Sequence, residues 1–362
     1  MIRVLHVIDS LDLGGAQTTL LNFARFHDRG KFALTVAPMH GRGVFSSALE
    51  AEDVPVVSLS AAKWPPGYLL SLPRLLRRGR FDVVHCHLFG SNWIAKPIAA
   101  LCGVRVRVNH DQCNDRARSE RWSSIVVDRL TNVLSSHIFA VSASTRDFLV
   151  HEEKISPGKI SVLPNAVDVQ RFSPAAPAGR EAARSRIGLV PGRLVVAGLG
   201  RLHPQKNWPL FLQVASRFPE VDFVIAGGGP EEGDLRHGAP DNVRFIGFRD
   251  SREVFAAADV FMLTSDYEGM PMTLLEAMAC GVPAVVSAVD GCREILGDGQ
   301  GGLTARPGDV EDFVQKLEPY IDSAELRRQQ GETARAKVLS SFDARHQVRE
   351  IEALYARLLA GV

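Results

Sequence analysis

The sequence is poor in several features that would direct a chain to particular classes of protein. Its five cysteines are odd in number and never stand in Cys-x-x-Cys spacing, so reduced thiols are the simplest interpretation. No apolar run approaches the roughly 18 residues needed to span a bilayer. The first residues also lack the basic, apolar and small-residue order of a signal peptide. These absences predict a cytoplasmic protein.

Motifs for common nucleotide cofactors are also missing. Neither half of the chain has Gly-x-Gly-x-x-Gly after its first strand pattern, and no Gly-x-x-x-x-Gly-Lys-Ser/Thr loop occurs. These absences argue against a dinucleotide cofactor and against a P-loop nucleotide site. No Asp-x-Asp occurs either, so nothing indicates a divalent ion on a diphosphate. We therefore predict that the protein uses no cofactor and no metal.

Strand and helix patterns are present and alternate twice along the chain. A length of 362 residues, 46% hydrophobic and 23% charged, suits a globular protein of two domains. Small residues and prolines concentrate at 172–179, as in a linker. We predict an α/β fold of two doubly wound domains facing across a cleft, 1–168 and 169–342, with an amphipathic C-terminal helix at 343–362. In the first domain the predicted strands include 2–8, 33–38, 54–59, 81–87, 105–111 and 136–142, and the last of these is expected to be the final strand of the domain. The predicted strands of the second domain are 194–200, 222–226, 243–247, 259–264 and 282–287, and they are expected to complete it.

Two glutamates stand eight residues apart in a pattern of strand, loop and helix. Glu268 would lie in the loop at the carboxyl end of strand 259–264, and Glu276 about one turn into the following helix. Ligands of open parallel sheets bind at this edge. Because carboxylates accept hydrogen bonds from paired hydroxyls, the two residues favour a polyhydroxylated ligand. The alternative is a pair of solvated surface charges.

Basic and glycine-rich loops are predicted at the same edge. Arg201 and Lys206 follow strand 194–200, and Gly228 is the centre of a three-glycine run after strand 222–226. Cations beside glycine-lined backbone suit a diphosphate, and a carboxylate on a helix suits ribose hydroxyls. The loop carboxylate is then left for a sugar. A nucleotide-diphosphate sugar satisfies all of these groups.

The first domain contributes weaker candidates. Gly14 and Gly15 lie between the first strand and its helix, where they could approach a ligand or simply form a tight turn. His110 ends strand 105–111, a position favoured by substrate-binding groups, although a lone histidine is often structural. His85 and His87 share one strand face and could bind a metal, but a polar edge of the crevice is the preferred interpretation because no third ligand is evident.

Charge is unevenly divided between the two halves. Residues 1–170 contain 20 Lys/Arg and 15 Asp/Glu, whereas the remainder contains 22 and 26. The basic excess includes the segment 69–80 and also Arg105, Arg107, Arg116, Arg118 and Arg121. It predicts an anionic partner, either a membrane surface or a phosphorylated acceptor, with a solvated helix face as the alternative. No nucleic-acid partner is predicted.

A series of short motifs extends over nearly the whole chain. In chain order they are Gly14-Gly-Ala-Gln17, Asp82-Val-Val-His-Cys-His87, His110, Pro164-Asn-Ala-Val-Asp168, Gly200-Arg201…Lys206-Asn207, Gly227-Gly-Gly-Pro230 and Glu268-x7-Glu276-Ala-Met-Ala-Cys-Gly-Val-Pro283. The motifs and their order resemble those of the retaining glycosyltransferase family 4, which has the GT-B fold. The pairing of Glu-x7-Glu with Gly-Arg…Lys-Asn is specific, although neither motif alone would be.

The resemblance implies roles for the donor-side residues. Arg201 and Lys206 would clamp the donor diphosphate, and Glu276 would bind ribose. Glu268, with the backbone of Gly269 and Met270, would hold the transferred sugar. Met270 stands where the family usually has Phe, and Ala166 where it usually has Gly; neither departure removes a charge, so activity is expected to survive both.

In the first domain, the resemblance implies that Gly15 contacts the phosphate and that His110 touches the sugar near the reacting carbon. It also implies that the C-terminal helix packs back onto this domain. It implies transfer with retention at the anomeric carbon, from a UDP- or GDP-sugar to a glycan, lipid-linked or small-molecule acceptor. Surface polysaccharide or glycolipid synthesis is the expected setting, in the cytoplasm or peripherally on the inner membrane face. The alternatives are a nucleotide-sugar epimerase of similar fold and a non-catalytic two-lobed sugar-binding protein.

Overall fold

The computed structural model describes residues 1–12, 14–60, 67–112, 122–189 and 192–361. Leu13, Cys113, Arg116, Arg118 and Arg121 from the sequence patterns lie outside these ranges. The chain forms two compact units. Unit 1 comprises Met1–Asn165 and Ala344–Val362, and unit 2 comprises Ala166–Asp343.

Unit 1 is built on a six-stranded parallel sheet in the order β2-β1-β3-β4-β5-β6. Its strands are β1 (Ile2–Ile8), β2 (Phe32–Pro38), β3 (Val83–His87), β4 (Val106–Asp111), β5 (His137–Ala140) and β6 (Ile160–Val162). Its described helices are α1 (Gly15–Phe26), α2 (Phe45–Glu50), α3 (Gly67–Gly79), α4 (Phe89–Leu101), α5 (Trp122–Asn132), α6 (Ala143–His151) and the C-terminal α15 (Ala344–Ala360).

Unit 2 contains a second six-stranded parallel sheet, in the order β12-β11-β10-β7-β8-β9. Its strands are β7 (Val195–Leu199), β8 (Asp222–Ala226), β9 (Val243–Gly247), β10 (Val260–Leu263), β11 (Ala284–Ser287) and β12 (Gly302–Ala305). Its described helices are α7 (Pro177–Arg186), α8 (Trp208–Ala215), α9 (Glu232–His237), α10 (Ser251–Ala257), α11 (Met272–Ala279), α12 (Asp290–Leu296), α13 (Val310–Asp322) and α14 (Ala324–Ser341).

Both faces of the unit 1 sheet are covered, which explains its continuous apolar strands. Val4 and Ile8 of β1 belong to one core cluster, whereas Leu5 and Val7 belong to another, because successive side chains of a strand point to opposite faces. Strands buried on both faces cannot alternate apolar with polar residues. The predicted α/β class with doubly wound sheets is therefore confirmed.

The C-terminal helix α15 packs within unit 1, as predicted. Its residues Val348, Ile351 and Tyr355 belong to the same core cluster as Val4 and Ile8 of β1. The side chain of Gln347 also donates a hydrogen bond to the Pro164 carbonyl, at 2.5 Å. No helix in the described ranges is both long and apolar enough to cross a lipid bilayer.

Three strand predictions differ from the structure. Residues 54–59 do not form a strand, and only Val56 makes an isolated bridge, with Val36 of the edge strand β2. A regular ladder is disfavoured here because Pro55 has no N–H to donate. The prediction that 136–142 is the last strand of its domain is wrong, because β6 follows it. β12 was likewise not predicted beyond 282–287. Both missed strands are three or four residues long, too short for a periodic pattern to stand out.

Candidate functional site

The strand order of unit 2 reverses between β7 and β10. From β7 the chain moves to β8 on one side, and it later returns to place β10 on the other. Loops that follow strands on either side of such a switch point diverge and leave a crevice at the carboxyl edge of the sheet. The loop after β7 contains Arg201 and Lys206, and the loop after β10 contains Glu268.

These two loops are joined by an ion pair between predicted site residues. The Lys206 ammonium Nζ lies 2.5 Å from Glu268 Oε1, and both side chains are largely buried, at 14% and 8% exposure. The Ser265 hydroxyl also donates to Glu268 Oε1, at 2.7 Å. An ammonium has three donors, so Lys206 can hold Glu268 and still bind a ligand oxygen. The structure thus brings together one residue predicted for the diphosphate and one predicted for the sugar.

Backbone and side-chain hydrogen bonds fix the position of Lys206. Asn207 adopts left-handed backbone geometry with φ of 47°, and its side chain accepts from the Leu210 amide at the start of α8. The Thr264 hydroxyl at the end of β10 donates to the carbonyls of Lys206, at 2.9 Å, and Asn207, at 3.1 Å. The Gln205 side chain donates to the Tyr267 carbonyl at 3.0 Å. The two loops therefore support one another across the switch point.

Arg201 lies on the same loop but is exposed. The Trp208 indole N–H donates to its backbone carbonyl at 2.8 Å, which anchors the main chain while the side chain projects from it. Within the described ranges, no hydrogen bond or ion pair engages the guanidinium. A guanidinium that no described protein group engages can present its planar, paired N–H donors to a ligand, and this geometry suits phosphate oxygens.

Glu276 lies in α11 and is buried, with 6% exposure. Burial raises the pKa of its carboxyl to about 7, and the Ser251 hydroxyl and Arg171 only partly oppose that increase. Asp250 adds to it, because a nearby carboxylate disfavours a second negative charge. A buried carboxyl close to a hydroxyl and an arginine is a built polar site rather than a solvated surface charge. Sequence patterns did not indicate Arg171 or Ser251, which lie far from Glu276 along the chain.

Neighbouring backbone requires two of the three glycines after β8. A Cβ on Gly227 would lie 1.9 Å from the Gly200 carbonyl oxygen, and one on Gly229 would lie 2.4 Å from that of Leu202. Gly227 also has φ of +135°, which L side chains rarely adopt. A Cβ on Gly228 would lie 2.8 Å from the ring of Phe248, which is 66% exposed. Close backbone packing accounts for Gly227 and Gly229, and ligand contact at Gly228 stays a prediction.

The remaining predicted residues of this loop pack against α12. A Cβ on Gly291 would lie 2.2 Å from the Gly269 carbonyl oxygen, so the two segments touch through backbone. Met270 is buried, with 5% exposure. The roles predicted for Gly269 and Met270 in holding a sugar are therefore confined to their main-chain groups.

In unit 1 the order of strands reverses between β1 and β3. Asp9, directly after β1, accepts hydrogen bonds from the backbone amides of Gly90, at 3.0 Å, and Ser91, at 2.6 Å, in the first turn of α4. Gly14 precedes α1, and a Cβ there would lie 2.5 Å from the side-chain oxygen of Gln17. The structure places Gly14 and Gly15 at the N-terminus of a helix, and their predicted contact with a ligand stays a prediction.

His110 ends β4 and is fully buried. Burial lowers the pKa of its imidazole to about 4, against the smaller opposing effects of Asp111 and the Leu163 backbone. The ring is therefore neutral at physiological pH. His87 is its register partner on β3, so the two side chains share one face of the sheet. The predicted contact between His110 and the sugar stays a prediction.

Two family models match the chain and between them cover most of it. The model for glycosyl transferases group 1 matches residues 179–337, and the model for glycosyltransferase family 4 matches residues 13–171. A galactosyltransferase of Escherichia coli, UDP-Gal:alpha-D-GlcNAc-diphosphoundecaprenol alpha-1,3-galactosyltransferase, is 30% identical over 316 residues, which are 81% of this chain and 80% of that protein. The chain belongs to glycosyltransferase family 4.

Other relatives and structures agree with this assignment. A GDP-mannose-dependent monoacylated alpha-(1-6)-phosphatidylinositol monomannoside mannosyltransferase of Corynebacterium glutamicum is 26% identical over 359 residues, which are 90% of each protein. The structure of Anabaena Alr3699/HepE in complex with UDP and glucose matches with a TM-score of 0.87 and 21% identity, over 99% of this chain and all of the other. Sucrose-phosphate synthase from Thermosynechococcus elongatus matches with a TM-score of 0.83 and 15% identity, over 99% and 100%.

These comparisons confirm the predicted family and the GT-B fold. The family 4 chain is a glycosyltransferase, and the comparisons do not favour the alternatives of an epimerase or a non-catalytic sugar-binding protein. The solved structures, at this level of identity, establish the fold alone.

Proposed function

We propose that this glycosyltransferase moves a sugar from a UDP- or GDP-sugar to a lipid-linked or other glycan acceptor, with retention at the anomeric carbon and without a divalent ion on the diphosphate. The observation that carries the proposal is the joined loop pair of unit 2, in which Lys206 forms an ion pair with Glu268 and shares its loop with the exposed Arg201. The two relatives act, by their names, from UDP-Gal and GDP-mannose. Their acceptors are borne on diphosphoundecaprenol and on a phosphatidylinositol.

Each donor group has a counterpart among the residues described. The guanidinium of Arg201 and the ammonium of Lys206 bind the diphosphate and stabilise the charge that develops as it departs. Glu276 accepts hydrogen bonds from ribose hydroxyls, and Glu268 accepts them from the sugar. Two cations supply the neutralisation that a divalent ion supplies elsewhere, so no metal is needed at the phosphates.

The reaction exchanges one bond at the anomeric carbon. The bond from that carbon to the diphosphate oxygen breaks, and the acceptor oxygen forms its bond on the same face. The acceptor proton passes to the departing diphosphate, which leaves with the bonding electron pair. In the described part of the chain we identify no second carboxylate for a double displacement of the kind that retaining hydrolases use. Catalysis then rests on positioning and on stabilising the leaving group.

Donor binding is tested by thermal unfolding with a panel of UDP-, GDP- and ADP-sugars. At a hundredfold excess over Kd, a ligand of the folded state adds about 2.7 kcal/mol, which corresponds to roughly 5–10 °C in Tm for a unit of this size. We expect one nucleotide class to give such a shift and Arg201→Ala and Glu276→Ala to reduce it. Arg217→Ala, which removes an exposed arginine of the same unit, serves as the control. Donor binding unchanged in both site variants would contradict the assignment.

The proposal includes an acceptor at an anionic membrane surface on the cytoplasmic side. The C-terminal half of α3 and the residue after it expose four arginines (Arg74, Arg77, Arg78 and Arg80). Leu69 and Leu70 of the same helix are 49% and 61% exposed, whereas Leu72 and Leu76 are buried in the core. Exposed leucines beside arginines suit contact with anionic lipid, worth about 1 kcal/mol for each arginine near the surface.

Flotation with vesicles separates this surface from a soluble acceptor. We expect binding to phosphatidylglycerol vesicles, none to phosphatidylcholine vesicles, and roughly 30-fold weaker binding for the double variant Arg77→Gln and Arg78→Gln. The matched control replaces Arg217 and Arg236, exposed arginines of unit 2, by glutamine. Equal failure to bind both kinds of vesicle would leave only a soluble acceptor.

A further inference from the structure

Three buried histidines form a cluster in unit 1 that the proposed transfer reaction does not use. His6 of β1 lies opposite His85 of β3 in the parallel register, and His87 follows two residues later. Register partners, and residues two apart on a strand, share one face of a sheet, so all three side chains lie on the same face. Each is at most 2% exposed.

Their ring nitrogens are close enough to share one ion. One ligand atom from each histidine lies within 4.8 Å of the other two. The distance from His6 Nδ1 to His87 Nε2 is 3.0 Å, and the ring centroids of His85 and His87 are 4.3 Å apart. Zinc binds imidazole nitrogen at about 2.0–2.1 Å, which in a tetrahedral site separates two ligand nitrogens by about 3.4 Å. Small ring rotations would bring this cluster to that geometry.

The hydrogen bonding of the cluster also suits metal binding. His6 Nδ1 and His87 Nε2 are hydrogen-bonded to each other. In the described part of the chain, His85 Nε2 has no hydrogen-bond partner. Buried polar atoms without partners are uncommon, and a metal ion shared with His6 Nδ1 and His87 Nε2 would engage this one.

A tyrosine outside the cluster orients one of its histidines, His85. The Tyr355 hydroxyl of α15 lies 2.5 Å from His85 Nδ1, which leaves Nε2 of the same ring as the metal ligand. Histidine ligands in metal sites commonly donate their second ring N–H to an outer partner, so in this arrangement the Tyr355 hydroxyl accepts from His85 Nδ1–H and orients the ring. Tyr355 is a positioning residue in this arrangement.

We propose that His6, His85 and His87 bind one divalent transition-metal ion, with zinc as the first candidate. Three imidazoles with no carboxylate among them suit zinc, copper or nickel rather than magnesium or calcium. The ion would join β1 to β3 inside unit 1 and so stabilise that unit. The site is separate from the diphosphate-binding residues of unit 2 and does not depend on the proposed donor chemistry.

The test is calorimetric titration of untagged, chelator-treated full-length protein with zinc. We expect one zinc per chain, and binding at least about 100-fold weaker in His85→Asn and His87→Asn, since even loss of an outer partner typically costs 10–100-fold. His137→Asn is the matched control, because His137 is also a buried unit 1 histidine on a strand but hydrogen-bonds Ser161 outside the cluster. Its affinity for zinc should equal that of the unaltered protein.

Two further measurements keep the proposal decidable if the variants unfold. Tyr355→Phe should weaken zinc binding about tenfold, as loss of an outer partner does. Cobalt bound to the unaltered protein should show the visible absorption of a four-coordinate site with three imidazole ligands rather than the weak spectrum of the hydrated ion. Absence of stoichiometric zinc binding, a hydrated-ion spectrum, or unchanged affinity in folded His85→Asn and His87→Asn would each overturn the proposal.

Discussion

The two sheets differ in where their polar groups lie relative to the switch point, at which the strand order reverses. In unit 1, histidines lie within the strands β1 and β3 that flank its switch point and within the neighbouring β4. The carboxylate of Asp9 joins the loops after β1 and β3 by accepting hydrogen bonds from backbone amides. In unit 2, β7 and β10 are apolar throughout, and the charged groups Lys206 and Glu268 lie in the loops beyond them.

The difference follows from the cost of burying charge. An imidazole can lose its proton and enter a strand as a neutral group, whereas an ammonium or a carboxylate pays a large penalty unless it is paired. Lys206 and Glu268 of unit 2 therefore lie in the loops beyond the strands and pair with each other. We propose that unit 1 binds a metal ion through neutral imidazole nitrogens, whereas unit 2 binds anions and hydroxyls.

Among substitutions at the carboxyl edge of the unit 2 sheet, removal of Lys206 should have the largest effect on the rate of transfer. Lys206→Ala takes away a donor to the leaving diphosphate and also leaves Glu268 buried without its cation. We expect the rate of transfer to fall about 10²–10³-fold, the typical loss for a preorganised group that stabilises developing charge. Arg217→Ala breaks an exposed ion pair with Glu311 and should leave the rate unchanged. A fall of only a few-fold for Lys206→Ala would show that the edge binds its ligand without this cation.

The buried carboxyl of Glu276 should make the stability of the protein depend on pH. Its pKa is raised from 4.5 to about 7, so between these values the folded state holds more protons than the unfolded state. Stability should therefore fall as pH rises from about 4.5 to 7, by about 3 kcal/mol in total. Glu276→Gln should remove this contribution. Urea unfolding at pH 5 and pH 8 measures it, and an identical pH dependence in the variant would refute the burial argument.

The glycine loop should prove sensitive to a single added methyl group. Gly227→Ala places a Cβ 1.9 Å from the Gly200 carbonyl oxygen at a φ of +135°, and we expect a loss of about 2 kcal/mol in the free energy of unfolding. Gly233→Ala in α9 is the control, because its Cβ would meet nothing within 4 Å. It should be neutral or slightly stabilising. Equal unfolding midpoints for the two variants would mean that the loops after β7 and β8 can move apart at little cost in stability.

Substitution of Asn207, in the loop after β7, should have the smallest effect on stability. Its side chain caps α8, and its backbone has the left-handed geometry that follows Lys206. Asn207→Ala should cost about 1–2 kcal/mol, because it removes the cap and strains the backbone, whereas Asn207→Gly should cost only a few tenths. Thermal unfolding of both variants separates the two contributions. Equal losses for Gly and Ala would contradict the backbone contribution and assign the whole effect to the side chain, including its bond with Asp266 at 2.8 Å.

Local sequence patterns were sufficient to predict the elements that position the candidate site. Glu268 and Glu276 lie in a loop and a helix after a buried strand, as their spacing indicates, because strand, loop and helix are each specified within a few residues. The long strands were predicted for the same reason. β6 and β12 were not, since three or four residues carry too little periodicity.

Contacts between distant segments lay beyond what such patterns could predict. The ion pair of Lys206 with Glu268 joins residues 62 positions apart, and His6 meets His87 across 81 positions. His85 and His87 lacked an evident third ligand in the sequence, because the order in which strands enter the sheet decides that β1 is their neighbour. Glu276 likewise acquired its neighbours Arg171 and Ser251 from folding alone.

The return of α15 to unit 1 has a consequence for the order in which the protein is made. Residues 1–165 lack Val348, Ile351 and Tyr355, which complete the core beside β1. Every residue of unit 2 leaves the ribosome before α15 does, so the second unit can finish folding while the first still exposes an apolar groove. We expect ribosome-stalled chains ending near residue 343 to bind chaperones through that groove and to release them when α15 emerges.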